Sequence, residues 1–122
     1  MNTSPLEHDE CVTFVQWMEV KKLMFTHIPN ETYTTSWNQK RKNKAEGVKK
    51  GFPDYVIVIP KDKSKRGKSH LLLVEMKRRK GGKATPEQLS WIAAMNDIEN
   101  IQAVVCKGAE DAISFISNFL KE

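Results

Sequence analysis

Apolar residues recur at two different periods along this chain, and the changes of period divide it into elements. Cys11, Phe14, Val15 and Met18 fall at helical spacing and form one stripe. Ser4-Pro5-Leu6-Glu7 precedes them as a helix start, with Ser4 as N-cap, Pro5 in the first turn and Glu7 closing a capping box. This helix is expected to run into the low twenties. Residues 25–28 look extended, and Pro29-Asn30 ends them. Residues 54–59 alternate around β-branched side chains and predict a strand. Residues 71–76 are a near-continuous apolar run, as expected of a strand buried on both faces. Thr85-Pro86-Glu87-Gln88 is a second helix start of capping-box design, and Trp91, Ile92 and Met95 are its expected buried stripe. Residues 101–106 predict another strand. Gly108 then breaks the chain, and a last helix is expected to carry Ala112, Ile113, Ile116, Phe119 and Leu120 inward.

The order is α-β-β-β-α-β-α, with a polar, basic stretch over 32–50 and a charged turn over 60–70. It predicts an α/β fold with one central mixed sheet flanked by helices. A length of 122 residues fits one domain over 1–122, and an apolar content of 39% is enough for one modest core. The net charge of +5 favours an anionic partner, of which nucleic acid is the commonest, although simple solubility explains so small a surplus as well. Cys11 and Cys106 lie in apolar stretches with no CxxC and no nearby His pair, so a zinc site is not expected and both read as buried thiols of a reducing cytosol. There is no basic-then-apolar leader pattern and no apolar run long enough for a bilayer. A soluble intracellular protein is expected.

The chemistry concentrates on the central hairpin. Pairing Pro60 with Leu71 puts Tyr55 opposite Met76 and Asp54 opposite Lys77, and Glu75 shares the Lys77 face. Two carboxylates and an ammonium then converge at one end of an apolar hairpin. Burying two neighbouring carboxylates is costly. A divalent cation would offset their repulsion, and Mg²⁺, which keeps several waters, needs only one or two carboxylates. Such an ion supplies Lewis acidity toward a phosphate and a lower pKa for water, while Lys77 can steady charge on phosphorus oxygens. The set suits phosphodiester hydrolysis. Taken singly, each part has a plain alternative: a solvated turn Asp, or an exposed Glu–Lys pair worth little.

Gly51-Phe52-Pro53-Asp54, then Leu72-Leu73-Val74-Glu75-Met76-Lys77-Arg78, then Thr85-Pro86-Glu87-Gln88 with Trp91, resemble the VRR-NUC domain of the PD-(D/E)XK nuclease superfamily. His27-Ile28-Pro29-Asn30-Glu31 resembles its extended segment, and Gly108 with the closing helix fits its end. The resemblance covers nearly the whole chain and matches stand-alone, phage-type members. It implies a restriction-endonuclease-like α-β-β-β-α-β core. It implies that Asp54 and Glu75 hold Mg²⁺ or Mn²⁺, that Lys77 is the catalytic lysine, that Gln88 is the helical Gln of the site, and that Glu7 is the acid of the first helix. It also implies a nuclease acting on branched or junction DNA such as Holliday junctions, often as a homodimer, with no organic cofactor. For a phage- or prophage-encoded protein the compartment is the bacterial cytoplasm. One departure is visible, since many relatives carry Gln one turn after the helix-one Glu and this chain has Cys11.

Glu7 and Gln88 each stand third in a capping box, which explains them without a site, yet both lead into apolar stripes, where a polar residue needs a partner. Glu10 is the rival for the helix-one acid. His27 reads as a strand histidine with a local hydrogen bond, and the sequence does not position Glu31. Lys40, Arg41, Lys42, Lys44, Lys49 and Lys50 form one basic cluster. Arg78, Arg79, Lys80 and Lys83 form another, which Gly81-Gly82 is expected to make flexible. Both flank the proposed site and can contact phosphates without reading sequence. Trp37 or Tyr33 can stack on an unpaired base. The cations over 61–68 read as a solvated loop. With no recognition helix or zinc finger, structure-dependent cleavage fits better than sequence reading. The alternative is a non-catalytic nucleic-acid-binding module of the same fold, from which loss of one of the charged residues is expected, and none is missing.

Overall fold

The computed structural model describes residues 5–29 and 36–121. The expected Ser4 cap, Glu31 and Tyr33 lie outside the described residues. The first helix, α1, spans Pro5–Val20 and leads into strand β1 (Met24–His27). A short helix α2 (Trp37–Ala45) intervenes before β2 (Tyr55–Ile59). Then come a 3-10 turn (Lys61–Lys63), β3 (His70–Lys77), α3 (Pro86–Asn96), β4 (Ile101–Lys107) and α4 (Ala109–Ser117). The strands form one mixed sheet in the order β1-β2-β3-β4, antiparallel except for the parallel β3–β4 pair that α3 connects. This is the expected flanked mixed sheet, with α2 added between β1 and β2.

Strand β3 is central, and its alternation sorts the layers. Leu72, Val74 and Met76 join Ile57, Ile59, Phe14, Met18, Ala112 and Ile116 in the main core, under α1 and α4. Leu73 and Glu75 point to the opposite face and are also buried, which explains the unbroken apolar run. On that face α3 packs against β4, tied by the Asn96 amide, which bonds both backbone groups of Ala103 (2.8 and 2.9 Å).

Four expectations need correction here. The β2–β3 register pairs Tyr55 with Val74, not Met76. A slip of two keeps every side chain on its face, because the strand period is two, so the convergence of charges survives. Helix α3 has no buried residue: Trp91 is exposed, and Ile92 and Met95 are half-buried. Helix α4 ends at Ser117, before Phe119 and Leu120; Phe119 is buried beyond it and Leu120 bridges to Ser64. Cys106 is buried as expected, whereas Cys11 is only half-buried.

Candidate active site

The site forms where the chain enters β2 and leaves β3. Asp54 immediately precedes β2. Extending the β2–β3 register by one pair sets it opposite Glu75. Two backbone bonds fix it there: the Met76 amide donates to Asp54 Oδ2 (2.9 Å), and the Ile28 amide donates to the Asp54 carbonyl (2.6 Å).

The segment that delivers Asp54 is held against α3. Gly51 has φ +102°, and a Cβ there would lie 2.8 Å from backbone carbon of Glu87. Any side chain would push the loop off the helix. Pro53 is fully buried, the Phe52 ring meets Trp91 edge-on, and the Trp91 indole donates to the Lys50 carbonyl (3.2 Å). Glycine, proline and tryptophan of the motif thus act together to aim one carboxylate. Trp91 works as a clamp on this loop rather than as a core residue.

Glu75 is 2% exposed. Its Oε2 accepts from Gln88 Nε2 (2.8 Å) and lies 3.3 Å from Lys77 Nζ. Its Oε1 is buried and accepts no hydrogen bond. Gln88 reconciles its two readings. It closes the capping box, with Oε1 accepting from the Thr85 amide (2.8 Å), and this leaves Nε2 aimed at Glu75. The cap therefore selects the amide orientation that the site uses.

Burial pushes the Glu75 carboxyl up to about 8, the Asp54 charge adds to the rise, and Lys77 opposes it. Burial also raises Asp54, against the lowering by the Met76 amide and by the nearby His27 and Lys77. Two neighbouring carboxyls, one with an unused buried oxygen, suit a divalent cation that removes the proton and satisfies the oxygen. Hard oxygen donors suit Mg²⁺ or Mn²⁺, and two carboxylates suffice for a hydrated Mg²⁺. Among the described residues, no three His, Cys, Asp or Glu side chains converge as a ready ligand set. Glu7 is half-buried near enough to feel both Asp54 and Lys77; burial raises its carboxyl and Lys77 lowers it.

Glu10 has other work. Its Oε1 accepts from the Ala109 amide at the start of α4 (2.7 Å), and its Oε2 pairs with Arg79 Nε (2.8 Å). It is buried and joins α1 to α4 and to the chain leaving β3. Its spacing of four and eight from Phe14 and Met18, both fully buried, was the sequence signal for this.

The basic residues separate into two settings. Lys40, Arg41, Lys42 and Lys44 stand on α2, which has no buried residue, is capped by Ser36 and starts at the exposed Trp37. Lys49 and Lys50 follow in the exposed loop. Beyond β3, Arg78 is half-buried, Arg79 is held by Glu10, and Lys80 and Lys83 are exposed. Gly82 lies close to the end of β3. A Cβ on Gly82 would lie 3.0 Å from Lys77 Cβ, so a glycine there lets the chain turn back close to the lysine stem.

This mixed sheet, with its acid–acid–lysine hairpin, is the arrangement of the PD-(D/E)XK superfamily. The chain belongs to the VRR-NUC family, whose domain model matches residues 1–110. A solved structure described as a VRR_NUC domain protein is similar at 25% identity, with a TM-score of 0.70 over 97% of this chain and 90% of that one. No curated protein sequence matches. The family is of nuclease type. Among the described residues, no helix is long and apolar enough to cross a membrane.

Proposed function

We propose that this protein is a Mg²⁺- or Mn²⁺-dependent DNA endonuclease that cuts branched or junction DNA. The observation that carries the reading is the Asp54–Glu75 carboxyl pair beside Lys77, with Glu75 buried, Asp54 half-buried and one Glu75 oxygen unused. A fold keeps such a pair at a cost to stability. A module that only binds DNA gains nothing from it.

Asp54 and Glu75 would hold the ion, with Glu7 beside them. When bound, the ion supplies Lewis acidity toward the scissile phosphate and a lower pKa for water. The chain does the rest. The Met76 amide orients Asp54, and Gln88 orients Glu75. Lys77 presents its ammonium to the negative charge that grows on the phosphate oxygens as water attacks. Lys40, Arg41, Lys42, Lys44, Lys49 and Lys50 on one side, and Arg78, Arg79, Lys80 and Lys83 on the other, bind phosphates along the strand without reading bases.

A homodimer would offer two such sites to the two strands of a junction. The likeness to stand-alone family members supports pairing with a second copy. The likeness to stand-alone phage-type members favours a phage or prophage origin and action in the bacterial cytoplasm.

Replacing Asp54 with Ala tests the assignment. Cleavage of a labelled four-way junction should fall by roughly 10²–10³-fold, while the dissociation constant measured by gel shift in Ca²⁺ stays within a few fold. A variant that cuts as fast as the native protein would move the site elsewhere.

A further inference from the structure

One face of α1 lines a cavity of about 450 Å³ that opens directly from the acidic site. Its near end is formed by Glu7 and Asp54. From there it follows the helix along the parallel rows Cys11–Val15 and His8–Val12–Gln16. Residues four apart lie one above the other on a helix, so the cavity runs on the order of 13 Å from Glu7 to Gln16 at the helical rise. Its other wall is His27 against Tyr55, with ring centroids 5.0 Å apart and tilted by 60°. Tyr55 is buried beneath and His27 is exposed, so the imidazole offers its outer face.

The lining is notable for its charge. Among the described residues that line it, those beyond the two carboxylates at the near end are apolar or uncharged polar groups and imidazoles, and none is Lys or Arg. Val12 is 40% exposed here, an apolar residue left open to the cavity. A phosphate would find no cation along this wall. The part of a nucleotide that suits it is the uncharged, flat part. Val12 and Val15 can pack on a base, His27 can stack on it, and Gln16 and His8 can hydrogen-bond its edge. The volume lies within the usual range for small-ligand pockets.

We infer that this cavity receives the unstacked base of a nucleotide next to the scissile phosphate. The inference rests on the nuclease reading and refines its substrate. A base inside a duplex cannot reach the cavity without breaking its pair and stack, whereas an unpaired base pays little to enter. The cavity therefore selects DNA that has an unpaired nucleotide at the cut, such as a flap, a junction branch point or a single strand. It gives structure selectivity without sequence reading.

The test uses the full chain and two oligonucleotide flaps, identical except that one carries an abasic residue at the nucleotide beside the mapped cut. The native protein should cut the base-bearing flap at least tenfold faster. Val12→Trp fills the cavity from a surface position, and its rates on the two flaps should converge. Equal native rates on both flaps would overturn the inference and leave the nuclease reading intact, as would a Val12→Trp variant that keeps the full native preference. A native protein that cuts no DNA with either metal would overturn the nuclease reading itself, and this inference with it.

Discussion

Glu75→Gln is expected to abolish cleavage and at the same time to make the metal-free protein harder to unfold above neutral pH. The two effects share one cause. Glu75 lies buried against Asp54, and burial first, then that neighbouring charge, lifts its carboxyl from the ordinary 4.5 to about 8. The folded state thus holds this proton more tightly than the unfolded chain does. Its stabilising share is complete below pH 4.5 and is lost progressively as pH rises to about 8. Above that the loss is constant, and on the order of a few kcal/mol. Gln has the shape of the neutral acid and can still accept from Gln88 and Lys77, so it escapes the loss. Urea unfolding in EDTA at pH 6 and pH 9 should show a steep decline for the native protein and a flatter one for the variant. Cleavage should drop by roughly 10²–10³-fold or more, because a neutral amide cannot replace the carboxylate charge. A variant that cuts normally would remove Glu75 from the chemistry. A variant less stable than the native protein at pH 9 would contradict the strain ascribed to the pair.

Lys77→Ala should slow cleavage by a similar 10²–10³-fold, with the loss falling on kcat and with DNA affinity nearly unchanged. The lysine is placed for chemistry rather than for general attraction. Its side chain is only 15% exposed, it stands 3.3 Å from Glu75 Oε2, and the Gly82 turn folds over its stem. Removing one cation among 20 Lys and Arg residues changes the overall field little. Lys77→Arg should not restore the rate, because a planar, delocalised guanidinium does not replace the compact ammonium that stands 3.3 Å from Glu75 Oε2. Single-turnover rates and gel-shift affinities for the three proteins check this. Affinity lost in step with rate would make Lys77 a phosphate-binding residue only.

Much of this site was legible in the sequence because strand geometry is forgiving. The hairpin register expected from Pro60 and Leu71 was wrong by two residues. The loop from Lys61 to Ser69 carries a 3-10 turn that the charge pattern does not reveal. An error of one would have turned Glu75 and Lys77 away from Asp54; an error of two did not.

Helix α2 was hidden for the opposite reason. Trp37–Ala45 carries polar and basic residues all round and buries none, so it has no stripe to detect, and only Ser36 as a cap marks its start. The stripe of α3 misled because Trp91 serves the Gly51–Asp54 loop instead of the core. Glu7 and Glu10, three apart on one helix, could be told apart only by what each touches. Glu10 is spent on Arg79 and the Ala109 amide, and Glu7 faces Asp54 and Lys77. The close approach of Gly82 to Lys77 depends on contacts that a linear pattern does not contain.

The most direct measurement is cleavage of labelled four-way junction, flap, single-stranded and linear duplex DNA by the native protein in Mg²⁺, in Mn²⁺ and in EDTA. Cutting in either metal, none in EDTA, and branched or single-stranded DNA cut ahead of linear duplex is the predicted result. A folded protein that binds these DNAs and cuts none of them, or that cuts equally well in EDTA, would contradict a metal-dependent site at Asp54, Glu75 and Lys77.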